Sequence, residues 1–97
     1  MDEIPKLSKK ETVTLDLLVN QGRMYGLEMI RASDELKRGT VYVTLGRMAE
    51  KGYVESDLED PPEGGVARRV YQATGHGKRV FSFWERMRSL ALSWSTV

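Results

Sequence analysis

The spacing of apolar side chains changes character at Gly52, and this switch limits the fold more than any other feature of the chain. Before Gly52, apolar residues recur every three or four positions, the period of helices packed on a core. After it come two short stretches, Tyr53–Leu58 and Arg68–Ala73, separated by Pro61, Pro62, Gly64 and Gly65. They predict two strands joined by a tip longer than a two-residue hairpin. Helical spacing returns after Thr74. The expected order is three helices, a two-stranded wing and a last helix, an α+β and mostly helical fold.

The helix boundaries carry their own signals. Ser8-Lys9-Lys10-Glu11 is a capping box, in which Ser8 accepts from a free backbone N–H and Glu11 reaches back, and Gly22 supplies the stop. Between them Val13, Leu17 and Leu18, with Leu15 and Val19, form a broad apolar face. A second, short helix spans about Tyr25 to Ser33, with Leu27, Met29 and Ile30 turned inward. The third begins near Arg38-Gly39-Thr40 and ends at Lys51-Gly52, where a lysine and a following glycine suit a helix C-terminus. Val41, Leu45 and Met48 make its buried stripe, while Thr40, Val43, Thr44 and Arg47 share an outer side without acid. Thr74 caps the last helix, along which Val80, Trp84, Met87, Ala91 and Trp94 recur like a coiled-coil seam flanked by Phe83 and Leu90 and widened by Phe81. That stripe is larger than one terminal helix needs to dock on its own domain, which argues for a second subunit.

Composition sharpens this. Ninety-seven residues, 40% apolar and 30% charged, suit one domain with a modest core that a partner subunit can support. The absence of cysteine excludes disulfides, thiolate zinc sites and cysteine nucleophiles. No signal-peptide pattern opens the sequence and no apolar run is long enough to span a bilayer, so the expected location is the cytoplasm, without a membrane partner. A net charge of +1 implies no nucleic-acid partner by itself, so distribution carries that argument. Lys37-Arg38, Arg68-Arg69 and Lys78-Arg79 are basic pairs, and the carboxylates between Glu55 and Glu63 read as a solvated wing edge.

Helix, helix, helix, wing, helix is the order of a winged helix-turn-helix domain, whose third helix enters the major groove of double-stranded DNA. Arg47 would reach a phosphate or a guanine edge, threonine hydroxyls would bond phosphates or bases, and Val43 would meet a thymine methyl. Gly39 would let backbone approach backbone, and Arg68 or Arg69 would reach DNA from the wing. Residues 1–74 are then the DNA-binding domain and 75–97 a dimerisation helix.

The same residues resemble a known family. Tyr25-Gly26-Leu27-Glu28-Met29-Ile30, Gly39-Thr40-Val41-Tyr42-Val43-Thr44-Leu45-Gly46-Arg47-Met48 and Glu50-Lys51-Gly52-Tyr53-Val54 are similar to the PadR pattern, as are Glu63-Gly64-Gly65, Arg68-Arg69-x-Tyr71 and Thr74-x-x-Gly77 in the wing and beyond it. The resemblance implies a homodimeric transcription regulator, usually a repressor, that binds an inverted-repeat operator. Its DNA-facing positions here would be Lys37, Arg38, Thr40, Tyr42, Thr44 and Arg47, with Gly64, Gly65, Arg68 and Arg69 at the wing, and Val80, Phe83, Trp84, Met87, Leu90, Ala91 and Trp94 would line the dimer.

Other readings stand beside this one. A winged helix also serves as a protein-interaction module that binds no DNA. Tyr42 would be a packing residue, Arg47 an ion-pair partner of Glu50 or Glu28, and Trp84 and Trp94 either interface core or the walls of a small-molecule effector site at the dimer axis. Catalysis finds little support. Gly77-Lys78 matches the end of a phosphate-binding loop, but Gln72 stands where its first glycine belongs and Arg79 where a magnesium-holding Ser or Thr belongs. His76 has no metal-spaced partner, so no cofactor is expected.

Overall fold

The computed structural model describes residues 6–95. Helix α1 (Lys9–Gln21) is followed by strand β1 (Met24–Tyr25), helices α2 (Gly26–Ala32) and α3 (Arg38–Glu50), strands β2 (Val54–Glu59) and β3 (Arg68–Ala73), and helix α4 (Gly75–Ser95). The expected capping box forms: Glu11 N–H donates to Ser8 Oγ at 3.2 Å, and Ser8 N–H donates to Glu11 Oε1 at 2.9 Å. Gly22 ends α1 at φ 87°, a conformation that costs glycine little. Thr74 caps α4 by accepting from Gly77 N–H at 2.9 Å.

A three-stranded antiparallel sheet stands where the sequence predicted a two-stranded wing. Its order is β1-β3-β2, with Met24 opposite Tyr71 and Tyr25 opposite Val70, and with Val54 opposite Ala73 at one end of the wing and Glu59 opposite Arg68 at the other. The added strand ties the turn before α2 to the inner edge of the wing. A two-residue strand has no period to read, so only its pairing reveals it. Gly64 (φ 84°) and Gly65 (φ 104°) turn the wing tip.

One core holds these elements together. Leu15 and Leu18 of α1, Met29 of α2, Val41, Leu45 and Met48 of α3, Tyr53 just before β2, Val54 and Tyr71 of the sheet and Val80 and Phe81 of α4 are all buried. The α3 stripe is as expected. In α1 the stripe is rotated, for Glu11, Thr14, Leu15 and Leu18 face inward while Val13 and Leu17 are only partly covered. Polar side chains reach the inside there because each has a partner: Thr14 donates to the Lys10 carbonyl, and Glu11 holds Lys51 at 2.9 Å. Leu27, expected inward, is exposed. Leu36, in the loop before α3, is buried.

Gly77 fixes how α4 meets the rest. A Cβ at this position would lie 2.1 Å from the Tyr53 carbonyl oxygen, so only glycine lets the first turn of α4 rest on the start of the wing. The Thr74 hydroxyl also bonds the Gly52 carbonyl, and His76 stacks at a tilt on Tyr53 with ring centroids 5.3 Å apart.

Candidate nucleic-acid interface

With Val41, Leu45 and Met48 committed to the core, the helical period leaves Gly39, Tyr42, Val43, Gly46, Arg47 and Glu50 on the outside of α3, all exposed. Thr44, expected on that outer side, is instead buried at 7% exposure. It stands three residues from Val41 and four from Met48, so the turn of the helix carries it inward. Thr40 is partly covered, and its hydroxyl reaches back to the Lys37 carbonyl at 3.4 Å. Glu50 is the single acid on the outer face, in the last turn.

The N-terminus of α3 is open. Lys37 occupies the cap position without a capping side-chain bond, no acid lies in the first turn, and Lys37 and Arg38 are exposed with no ion pair to another described residue. Thr40 and Val41 N–H groups are taken by the Lys37 carbonyl at 3.0 and 2.8 Å, which leaves the N–H groups of Arg38 and Gly39 without a backbone acceptor among the described residues. A Cβ on Gly39 or on Gly46 would meet nothing within 4 Å. No contact inside the chain therefore requires glycine at either position. In the sequence Gly46 has no role beyond its place in the family pattern, although a glycine amid a helix is a visible anomaly that costs about 1 kcal/mol relative to alanine.

Tyr42 joins α3 to α2. A Cβ on Gly26 would fall 2.6 Å from the Tyr42 hydroxyl and ring, so the phenol end of Tyr42 rests against the first residue of α2 while the residue keeps 47% of its surface exposed. Around it Tyr25, Arg31, Arg68 and Arg69 border a cleft of about 290 Å³ shared by α2, α3 and the wing. The Arg68 guanidinium lies 4.3 Å from the centre of the Tyr25 ring and pairs with Glu63 at 3.0 Å. Arg69 donates to Ser56 Oγ at 3.0 Å. The structure thus brings Tyr42 and both wing arginines to one concavity and adds Arg31, which the sequence did not single out.

The wing carboxylates are not simply solvated as expected. Glu59 accepts from the Tyr25 hydroxyl at 2.9 Å and pairs with Arg23 at 3.3 Å, Glu55 accepts from Gln72, and Asp57 lies 3.7 Å from Arg23. The hydrogen bond to Glu59 raises the Tyr25 pKa above its ordinary value. Arg47 makes no ion pair with Glu28, Glu50 or any other described residue. Glu28 instead accepts the Tyr25 N–H at 2.7 Å.

The apolar stripe of α4 divides in two. Val80, expected at a dimer interface, is buried in the chain's own core beside Phe81, and Trp84 packs partly against it. Phe83, Met87 and Leu90, spaced four and three residues apart, are exposed with Ala91 and Leu92. Phe83 meets Trp84 edge-on at 5.2 Å. The side chain of Trp94 lies outside the described residues. On the α1 side of α4, a cavity of about 480 Å³ is bordered by Leu7, Phe81, Trp84 and Arg88. Among the described residues no group of three His, Asp or Glu side chains is placed to hold a metal, and no helix is long and apolar enough to cross a membrane.

The chain, with its open α3 N-terminus and its arginine-bearing wing, matches one family model, the transcriptional regulator PadR-like family, over residues 14–82. The chain belongs to the PadR-like family. Solved structures agree in fold. A PadR family transcription regulator from Clostridium difficile R20291 superposes with a TM-score of 0.79 at 22% identity, over 92% of this chain and 96% of that one. A regulator of the MarR family from Enterococcus faecalis V583 gives 0.79 at 19% identity, over 92% and 77% of the two chains. A transcriptional regulator from Thermoplasma acidophilum gives 0.67 at 26% identity, over 88% and 85%. No curated protein matches the chain in sequence. As a PadR-like regulator the chain is a DNA-binding protein by family, and the outer face of α3 with the Arg68–Arg69 edge of the wing is its candidate interface.

Proposed function

We propose that this PadR-like protein is a homodimeric repressor that reads an inverted-repeat operator with α3 and the wing. The observation that carries the reading is the outer face of α3: from Gly39 to Arg47 it is exposed and free of acid, it holds two glycines without an intramolecular reason, and it begins at backbone N–H groups with no backbone acceptor. A polyanion is the partner such a face suits, because free N–H groups and arginine bind phosphate while small residues admit the helix to the groove. Lys37, Arg38 and Thr40 would meet the backbone at the N-terminus of α3. Tyr42, Val43 and Arg47 would follow the groove, and Arg68 and Arg69 would clamp an adjacent strand with Gly64 and Gly65 at the tip.

The exposed Phe83–Met87–Leu90 row supports pairing through α4, since an apolar row of that kind gains from burial against a second copy. Residues 1–74 with the first turns of α4 then form the reading unit, and the rest of residues 75–97 the pairing helix. Two copies of α3 would enter successive major grooves about 34 Å apart. Selection of bound sequences from a random duplex pool tests the reading: a palindrome should emerge, bound with affinity that falls steeply as salt rises. Recovery of no duplex, or binding without salt dependence, would leave the winged helix as a protein-interaction module.

A further inference from the structure

Where the N-terminus of α1 meets the C-terminal half of α3, a depression of about 400 Å³ is bordered by Lys10, Thr44, Arg47 and Lys51. We propose that it seats one backbone phosphate of the bound duplex, which assigns Arg47 to the phosphate rather than to a base edge. The inference rests on the DNA-binding reading above and deepens it.

Thr44 carries the argument. The residue is 7% exposed, yet its hydroxyl makes no hydrogen bond among the described residues. Thr14, a buried threonine of α1, spends its hydroxyl on a backbone carbonyl at 2.8 Å, and Thr40 also bonds back along its helix. Because no fully buried side-chain oxygen or nitrogen lacks a partner among the described residues, solvent reaches the Thr44 hydroxyl, and Thr44 borders the depression. A nearly enclosed donor facing a cleft calls for an acceptor from outside.

Charge decides what kind of acceptor. Lys9, Lys10, Arg47 and Lys51 border the cleft together with one carboxylate, Glu11. That carboxylate is already held by Lys51 at 2.9 Å and by the Ser8 N–H at 2.9 Å, and Lys9 lies 3.2 Å from Glu35. Lys10 and Arg47 make no ion pair with a described residue, so two cations remain to meet an anion. Ser8, Lys9 and Lys10 at the start of α1 border the same depression, and a helix N-terminus favours negative charge. A tetrahedral oxyanion can take a hydroxyl, a guanidinium and an ammonium at once. Arg47 belongs to both the cleft and the outer face of α3, so a phosphate of the strand flanking that face is the oxyanion in reach.

The test uses the full chain and two variants, Thr44→Val and Lys10→Ala, with binding to the selected operator and to an unrelated duplex followed by fluorescence anisotropy from low to moderate salt. Both variants should bind both duplexes about 10-fold more weakly and leave the preference between them unchanged, and Lys10→Ala should lower the salt slope by about one. Thermal melting checks folding, and the partly exposed Lys10 serves should Thr44→Val unfold. Titration with inorganic phosphate at constant ionic strength, read on the backbone amides of Lys9, Lys10 and Thr44, adds an arm without DNA, in which saturable shifts lost in Lys10→Ala are expected. Wild-type binding to duplex with both variants unchanged in affinity and slope would overturn the seat, and would reassign it to a free phosphate if inorganic phosphate still shifted those amides. Failure of the wild-type protein to bind any duplex would instead sink the DNA-binding reading itself.

Discussion

Helices α3 and α4 are built alike and end in opposite surfaces. Each lays one stripe into the common core, Val41, Leu45 and Met48 from α3 and Val80 and Phe81 from α4. On its other side α3 shows glycine, tyrosine and arginine, whereas α4 shows Phe83, Met87, Leu90 and Leu92, the last two with half or more of their surface open at 50% and 62%. A polar, sparse face loses little by staying wet and suits a charged partner. An apolar row gains by burial and suits a partner like itself. Burial alone therefore does not separate the two helices; the chemistry of what stays outside does.

The contrast breaks first at the anchor of α4. Gly77→Ala places a methyl against the Tyr53 carbonyl oxygen at 2.1 Å, and urea unfolding should show a loss of about 3 kcal/mol. A variant as stable as the parent would mean that α4 docks elsewhere. Next comes the outer row: Met87→Glu with Leu90→Glu should weaken self-association about 100-fold or more in sedimentation, with helix content retained. An unchanged dimer would move the interface off this face.

On the α3 side the expected effects are smaller. Arg68→Ala with Arg69→Ala should lower duplex affinity about 10-fold and flatten its salt dependence, measured across a potassium chloride series. Acid tests how α3 is held by α1. Burial pushes the Glu11 carboxyl up, but the Ser8 N–H and Lys51 together pull it below its ordinary value of 4.5. A lowered folded pKa gives stability that is present above 4.5 and lost as pH falls through the folded value. Glu11→Gln should remove that part of the acid limb, about 1 kcal/mol, in melts between neutral pH and pH 3. The smallest change should have two signs: Gly46→Ala ought to raise helix stability by about 1 kcal/mol while weakening duplex binding, because the added methyl stands on the outer face with nothing of its own chain near it.

Particular residues show what was legible in advance. The Ser8–Glu11 cap, the Gly22 and Gly52 stops, the Val41–Leu45–Met48 stripe and both wing strands could be read because each signal lies within a few residues of its effect. Strand β1 could not, since two residues carry no period and their partner lies in β3. Thr44 read as outward because polarity stood in for direction, while the helical turn places it beside the core stripe. Val80 read as an interface residue because the α4 stripe is continuous in sequence, although its first turns meet the chain's own core.

By itself the sequence determined the order of the elements, the inner face of α3 and membership in a family of regulators, because caps, stops and periods act over a turn or two and short motifs keep their spacing. Only the tertiary structure decided where the α4 stripe divides, that the wing carboxylates are bound to Arg23, Tyr25 and Gln72, and that Lys10 and Thr44 share a cleft with Arg47. Those outcomes depend on which surfaces distant segments bring face to face, and that is fixed by packing rather than by neighbours along the chain.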